Sequence, residues 1–257
     1  MRISDNIHIS TIDYPGEICT MLYTVGCNLR CYYCHNKPLV FGTVNCIEIP
    51  ELFKRLKAQK EFTPFITITG GEPTIQRDIV SFIRKLKDRG FFVKLDTNGL
   101  QYNTLRHLVN HQLVDYIAMD LKTELCSYAR PGICGTRKDT NRKSHPYPAL
   151  SDWHGSVEQR NLRLREVLLE SMHILESSTI PHEYRTTCCK DVTSPTEIAG
   201  IADDLEGVYN EERSAYPTWF IQRATVEDKS KEYTEEELRE IVRALTIQNY
   251  KFPIIYR

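Results

Sequence analysis

No stretch of this 257-residue sequence stays apolar for about 18 residues, the length a helix needs to cross a bilayer, so a membrane-spanning helix is excluded. Charge of one sign is not in excess either: 33 Lys and Arg stand against 34 Asp and Glu, a formal net charge of -1. That balance excludes a protein whose affinity rests on broad neutralisation of nucleic-acid phosphates. The opening residues, MRISDNIHISTIDYPGE, lack the apolar core of a secretion signal, so the expected location is the cytoplasm, where thiols stay reduced. Internal repeats are missing, and so are linkers of the kind that separate domains. What remains is ample for a core, with 41% hydrophobic residues against 26% charged. Nine cysteines are also present. An odd number of thiols in a reducing compartment is poor material for a disulfide framework and asks for another use.

Short apolar strands alternate with amphipathic helices. Strands are expected at 18–25, 65–69, 91–95, 116–121, 182–188 and 218–222. Between them Ile49, Leu52, Phe53 and Leu56 mark one helical face, and Ile79, Phe82, Ile83 and Leu86 mark another. Leu105, Leu108 and Val109, then Leu164, Leu168, Met172 and Leu175, continue the series. Ser194 with Glu197 and Thr234 with Glu237 have the spacing of capping boxes that open two more helices. From about 124 to 159 the periodicity lapses into an irregular insertion with a basic cluster, Arg137, Lys138, Arg142 and Lys143. Six strands alternating with helices imply parallel βαβ units in an α/β fold. The sheet is then either an incomplete barrel or an open doubly wound sheet. In both, chemistry belongs at the C-terminal strand ends. Cys27 to Cys34, Gly70 to Pro73, Asp96 to Gly99, Asp120 to Lys122 and Gln222 all fall there.

Cys27, Cys31 and Cys34 lie within eight residues, Cys-Asn-Leu-Arg-Cys-Tyr-Tyr-Cys. Three thiolates so close suit one compact soft-metal centre. A structural zinc ion wants four ligands, and His35 is a cramped fourth. A cubane iron–sulfur cluster usually takes four cysteines; held by three, it keeps one iron open for a substrate or cofactor.

Cys-x3-Cys-x2-Cys with an aromatic before the last cysteine resembles the signature of radical S-adenosylmethionine enzymes. Gly70-Gly71-Glu72-Pro73 is similar to that family's glycine-rich stretch. Cys34-His35-Asn36, Leu95-Asp96-Thr97-Asn98-Gly99 and Met119-Asp120-Leu121-Lys122 resemble the activating enzymes of glycyl radical enzymes. Glu183-Tyr184-Arg185-Thr186-Thr187 narrows the likeness to activators of the anaerobic ribonucleoside-triphosphate reductase. The resemblance covers residues 14–125 and 160–225. It implies a single radical S-adenosylmethionine domain over 1–257, folded as a partial (β/α)6 TIM-like barrel. It further implies one [4Fe-4S] cluster on Cys27, Cys31 and Cys34, with S-adenosylmethionine on the open iron. Reductive cleavage would release a 5′-deoxyadenosyl radical that takes a hydrogen from one glycine of a partner enzyme under anaerobic conditions. The electron would come from a donor such as flavodoxin or ferredoxin.

The same resemblance assigns cofactor contacts to Tyr33, Gly70, Gly71, Glu72, Asp96, Asn98, Asp120, Lys122 and Gln222. Tyr33 offers a face near the adenine, Glu72 accepts from the ammonium and Lys122 pairs with the carboxylate. Gly71 leaves room for close backbone approach. Asp96 and Asp120 hold hydroxyl or cationic groups, or a monovalent cation beside the cofactor carboxylate. Relatives that carry a ribose-contacting histidine near the sixth strand are not matched there; Phe220-Ile221-Gln222-Arg223-Ala224 offers Gln222 instead. Arg185 reads equally as an ion-pair residue or a cofactor contact. Among the other cysteines Cys19 reads as core, and Cys126, Cys134, Cys188 and Cys189 lack the spacing of a second cluster. Three rivals stand beside this reading. They are a small-molecule radical enzyme similar to carboxy-deazaguanine synthase, an activator of a different glycyl radical enzyme, and a zinc- or cluster-bearing binding module. No nucleic-acid or membrane partner is expected.

Overall fold

The computed structural model describes residues 1–129, 156–209 and 217–257. Strands β1 (His8–Tyr14) and β2 (Glu17–Thr24) form an antiparallel hairpin. From β2 onward each strand lies parallel to the one before it: β3 (Phe65–Gly70), β4 (Phe92–Thr97), β5 (Tyr116–Asp120), β6 (His182–Cys188), β7 (Thr218–Arg223) and β8 (Ile254–Tyr256). Helices α1 (Lys37–Phe41) and α2 (Ile49–Gln59) join β2 to β3. Then α3 (Ile79–Lys87), α4 (Tyr102–Asn110), α5 (Val157–Glu176), α6 (Pro195–Val208) and α7 (Glu235–Ile247) each lead to the next strand.

The strand order is sequential, one through eight. Laid flat, eight strands would hold the two edges about 34 Å apart, at about 4.8 Å per gap. Instead Arg257, just past β8, donates from its guanidinium to the Ile12 carbonyl on β1. The sheet therefore curls until one arginine side chain spans its two unpaired edges, an incomplete barrel rather than an open doubly wound sheet.

Two strands beyond the expected six appear. A register shift between Ser10 and Tyr14 breaks the period-two alternation that would have revealed β1. With three residues, β8 is too short to show any period. Of the segment 124–159, Leu125–Ser127 forms a 3-10 turn, and buried Tyr128 accepts from Lys122 N–H at 2.7 Å. At its other end Ser156 caps α5 in a reciprocal box with Gln159. Residues 130–155 lie outside the described residues, and with them the basic cluster and Cys134.

Alternation puts successive side chains of each strand on opposite faces. The outer face (Leu22, Ile66, Val93, Ile117, Tyr184, Trp219) packs under the helices in one continuous core. The inner face divides in two. Tyr14, Cys19 and Met21, with Phe65 and Tyr116, make an apolar floor. Above it Thr67, Lys94, Asp96, Glu183 and Arg185 make a polar interior. Both expected capping boxes are present: Ser194 with Glu197 on α6, and Thr234 with Glu237 on α7. Ser194→Ala should lower the unfolding free energy by about 1 kcal/mol, because the orphan Glu197 N–H loses its 3.3 Å acceptor. Urea denaturation reads this directly.

Candidate active site

The C-terminal ends of the strands surround a cavity of about 200 Å³ that opens to solvent. Cys27, Cys31 and Cys34 all line it, on the loop that β2 feeds. That loop is fixed from within. Arg30 donates to the carbonyls of Cys27 at 2.6 Å and Leu29 at 2.8 Å, and its guanidinium lies over the Phe41 ring. The Leu29 amide points at the Cys27 sulfur, 3.3 Å away. None of the three thiols is in a disulfide. Burial pushes the Cys27 thiol well up and the Cys31 thiol up to about 11. Among the described residues, no three His, Cys, Asp or Glu side chains converge tightly enough to hold a single metal ion.

Tyr33, between the last two cysteines, is buried and lines the cavity, and its hydroxyl has no hydrogen-bond partner among the described residues. Gly70 and Gly71 line it beside the root of the cysteine loop. Their lack of a side chain serves the chain's own backbone first. A Cβ on Gly71 would stand 1.9 Å from the Gly26 carbonyl oxygen, and one on Gly70 2.7 Å from Thr24 N and O. Gly71 N–H donates to Thr24 O at 2.9 Å and Glu72 N–H to Gly26 O at 2.8 Å, so the glycine stretch is zipped onto the root of the cysteine loop.

Glu72, 1% exposed, accepts from Thr74 N–H at 3.0 Å, Thr97 Oγ1 at 2.7 Å and Asn98 N–H at 2.7 Å, as well as from the Thr74 hydroxyl. Burial raises its carboxyl above the ordinary value, against the pull of those bonds. Asn98 in turn donates to Asn28 Oδ1 at 2.8 Å. One chain of contacts thus joins the cysteine loop, the end of β4 and the glycine stretch. Asn28, unnoticed in the sequence, is its link to the cysteines.

Asp96, Asp120 and Lys122 complete the far wall. Lys122 Nζ donates to Asp120 Oδ2 at 2.9 Å, and Arg185 Nε to Asp120 Oδ1 at 2.9 Å. Lys94, buried at 1% exposure, donates to Asp96 Oδ1 at 3.0 Å. Arg185 is thus an ion-pair residue bridging two carboxylates. Burial works against the charge on Asp120, but Arg185 and Lys122 outweigh it and hold the carboxyl at about 2 rather than 3.8. Its side chain keeps 25% of its surface. A carboxyl depressed on folding adds stability above its unfolded pKa and loses it as pH falls through the folded one. That contribution, on the order of 2 kcal/mol, should fade between about pH 4 and pH 2. Acid titration of stability should therefore be shallower in Asp120→Asn than in the parent chain.

Of the expected contacts, eight line the cavity and Gln222 does not; Thr187, its register partner on β6, does. Thr187 shares the inward face with Glu183 and Arg185, a period-two signal that was there to be read. His35 also lines the cavity, and its Nε2 accepts from Thr225 N–H at 3.4 Å.

Residues 21–146 match the family model described as the Radical SAM superfamily. A Methanocaldococcus jannaschii protein described as a candidate glycyl-radical enzyme activating enzyme is 35% identical over 127 residues, 49% of this chain and 52% of that one. The pyruvate formate-lyase-activating enzyme of Clostridium pasteurianum is 32% identical over 131 residues, 47% of this chain and 52% of its own. The 7-carboxy-7-deazaguanine synthase of Thermoplasma acidophilum is 34% identical over 109 residues, 42% of this chain and 49% of its own. The chain spans about half the length of the curated relatives it matches. Among solved structures, a radical SAM methyltransferase from Sphaerobacter thermophilus superposes with a TM-score of 0.58 at 12% identity, over 95% of this chain and 67% of its own. At that identity the likeness speaks for the fold alone. Motif order, strand-end cavity and family match agree: the chain carries a radical SAM domain.

Proposed function

We propose that the chain is a radical S-adenosylmethionine activating enzyme that installs a glycyl radical on a partner enzyme. The partner we favour is the anaerobic ribonucleoside-triphosphate reductase. The observation that carries this reading is the placement of three unbridged thiols across one cavity from Glu72, Asp96, Asp120 and Lys122. The residues suit a [4Fe-4S] cluster with S-adenosylmethionine, the cofactors of the superfamily. A backbone amide already aims at the Cys27 sulfur, as a thiolate ligand would use it. The buried Tyr33 hydroxyl lacks the partner that a ligand would bring. A structural zinc ion wants four ligands, whereas three thiolates can hold a cubane cluster with one iron left open.

When bound, the reduced cluster supplies the electron that splits a C–S bond of S-adenosylmethionine and so provides the 5′-deoxyadenosyl radical. The chain's own residues position and enclose. Cys27, Cys31 and Cys34 would hold three irons and leave the fourth for the methionine amino and carboxylate groups. Lys122 offers its ammonium to that carboxylate. Glu72 holds the glycine stretch and the β4 end at fixed separation from the cysteines. Gly70, Gly71, Asp96 and Asn98 line the same cavity. Flavodoxin or ferredoxin is the class of electron donor that a low-potential cluster needs. Among the described residues no helix is long and apolar enough to cross a membrane.

Anaerobic incubation with the candidate reductase, S-adenosylmethionine and a reductant should give a glycyl radical doublet by electron paramagnetic resonance. Reductive cleavage without a doublet on any glycyl radical enzyme would move the assignment to a small-molecule substrate. One observation favours that second reading: beside the cysteines the cavity is lined by Asn98, Lys122 and Thr187, polar groups within reach of a compact ligand. The 7-carboxy-7-deazaguanine synthase relative points the same way.

A further inference from the structure

Two carboxylates face the cavity from neighbouring strands, Asp96 at the end of β4 and Asp120 at the end of β5. Such a pair repels itself unless a cation sits between its members, and the resemblance allowed a soluble monovalent ion there. The oxygens are already taken. Asp96 Oδ1 accepts from Lys94 Nζ at 3.0 Å, and Asp96 Oδ2 faces Arg185 Nη1 at 3.3 Å and Nη2 at 3.2 Å. Asp120 Oδ1 accepts from Arg185 Nε at 2.9 Å, and Asp120 Oδ2 from Lys122 Nζ at 2.9 Å. All four oxygens have a cationic partner from the chain itself.

The sheet register explains how one side chain serves both acids. Arg185 on β6 stands opposite Asp120 on β5. Asp96 on β4 stands opposite Ala118 on β5, and Ala118 opposite Glu183 on β6. Residues in register share a face, so the inward position between Asp96 and Glu183 holds only a methyl group. Above that low point the guanidinium can cross β5 and reach β4. Its planar fork suits two acceptors set apart, which an ammonium cannot match. Counting Glu183, whose Oε1 lies 3.9 Å from Lys94 Nζ, three cations meet three carboxylates and the cluster is neutral.

We propose that Arg185 is a built-in counter-cation: its guanidinium fills the place between Asp96 and Asp120 that a soluble monovalent ion would otherwise occupy. The chain therefore needs neither potassium nor sodium to hold these carboxylates in place. Arg185 is a positioning residue, acting on the cavity through the two acids it bridges. Its effect on cofactor binding rests on the function proposed above; its effect on the protein without cofactor does not.

The test compares the cluster-free 257-residue chain in choline, sodium and potassium chloride at equal ionic strength. The thermal midpoint of the parent chain should be the same in all three. Arg185→Met leaves the buried Asp96 and the part-buried Asp120 without their shared partner, and its midpoint should fall by about 10 °C in choline. Potassium or sodium should restore half of that loss or more, as the ion takes up the emptied place. A parent midpoint that rises selectively with potassium or sodium overturns the proposal even if the variant cannot be made. So does a variant equally destabilised in all three salts, since Arg185 would then serve packing alone. In a second arm the reconstituted parent is titrated with S-adenosylmethionine in each salt, and equal affinities are expected. Tighter binding in potassium or sodium than in choline counts against the proposal. Absence of binding in every salt overturns the proposed function, while the melting experiment still decides the role of Arg185.

Discussion

Serine in place of Cys27, Cys31 or Cys34 is expected to cost at least about 100-fold in iron retention, and reductive cleavage of S-adenosylmethionine should vanish with it. A hydroxyl is a hard, weakly acidic donor and a poor substitute for a soft thiolate. The three positions should not be equal. Cys27 is buried and receives the Leu29 amide, whereas Cys31 and Cys34 are half-buried on the outer turn of the loop. Cys27→Ser should therefore be the most severe, with no brown chromophore after anaerobic reconstitution. Its far-UV circular dichroism should match the parent, because the loop backbone is held by Arg30 rather than by the sulfur. Iron analysis and absorption near the visible sulfide-to-iron bands check the result. Full iron content in all three variants would remove the cysteines from the site.

The second large effect is steric. Gly71→Ala places a methyl group 1.9 Å from Gly26 O, where real Cβ atoms are not found. The obstacle is backbone, so no rotamer change relieves it. Relief must come from parting Gly71 N–H from Thr24 O or Glu72 N–H from Gly26 O. A loss of about 3 kcal/mol follows, which for a chain of this size is a fall of about 10 °C in thermal midpoint. The displaced backbone is also the root of the cysteine loop, so iron retention should fall together with stability. Differential scanning calorimetry and iron analysis on one preparation test both halves, and an unchanged midpoint would disprove the clash.

The alternation of strand and helix was legible because each helix carries an apolar stripe and each central strand is a short buried run. Much of the site was legible for the same reason. Parallel winding gathers whatever stands at the strand ends: Asp96 and Asp120 close β4 and β5, and Cys27, Glu72 and Lys122 lie just past strands. Lys94 and Glu183 were not legible. In a strand they read as polar positions facing water, and only the curl of the sheet encloses them. Asn28 was hidden for a different reason: its partner Asn98 lies 70 residues away, and nothing local announces the contact. The same holds for Gly71, where the need for glycine was readable but the atom it avoids was not. For Arg185 the sequence left ion pair and cofactor contact open; the two carboxylates it bridges were visible one by one, but not their closeness.

The contact between Arg257 and Ile12 marks a seam in the wall. Strands β2 to β7 are laced on both sides, while β1 and β8 are laced on one. Amide protons should accordingly exchange slowest in β3 to β6 and fastest along the seam. Opening the wall at that seam would part only the pairing of a three-residue strand, and the rest of the sheet would stay zipped.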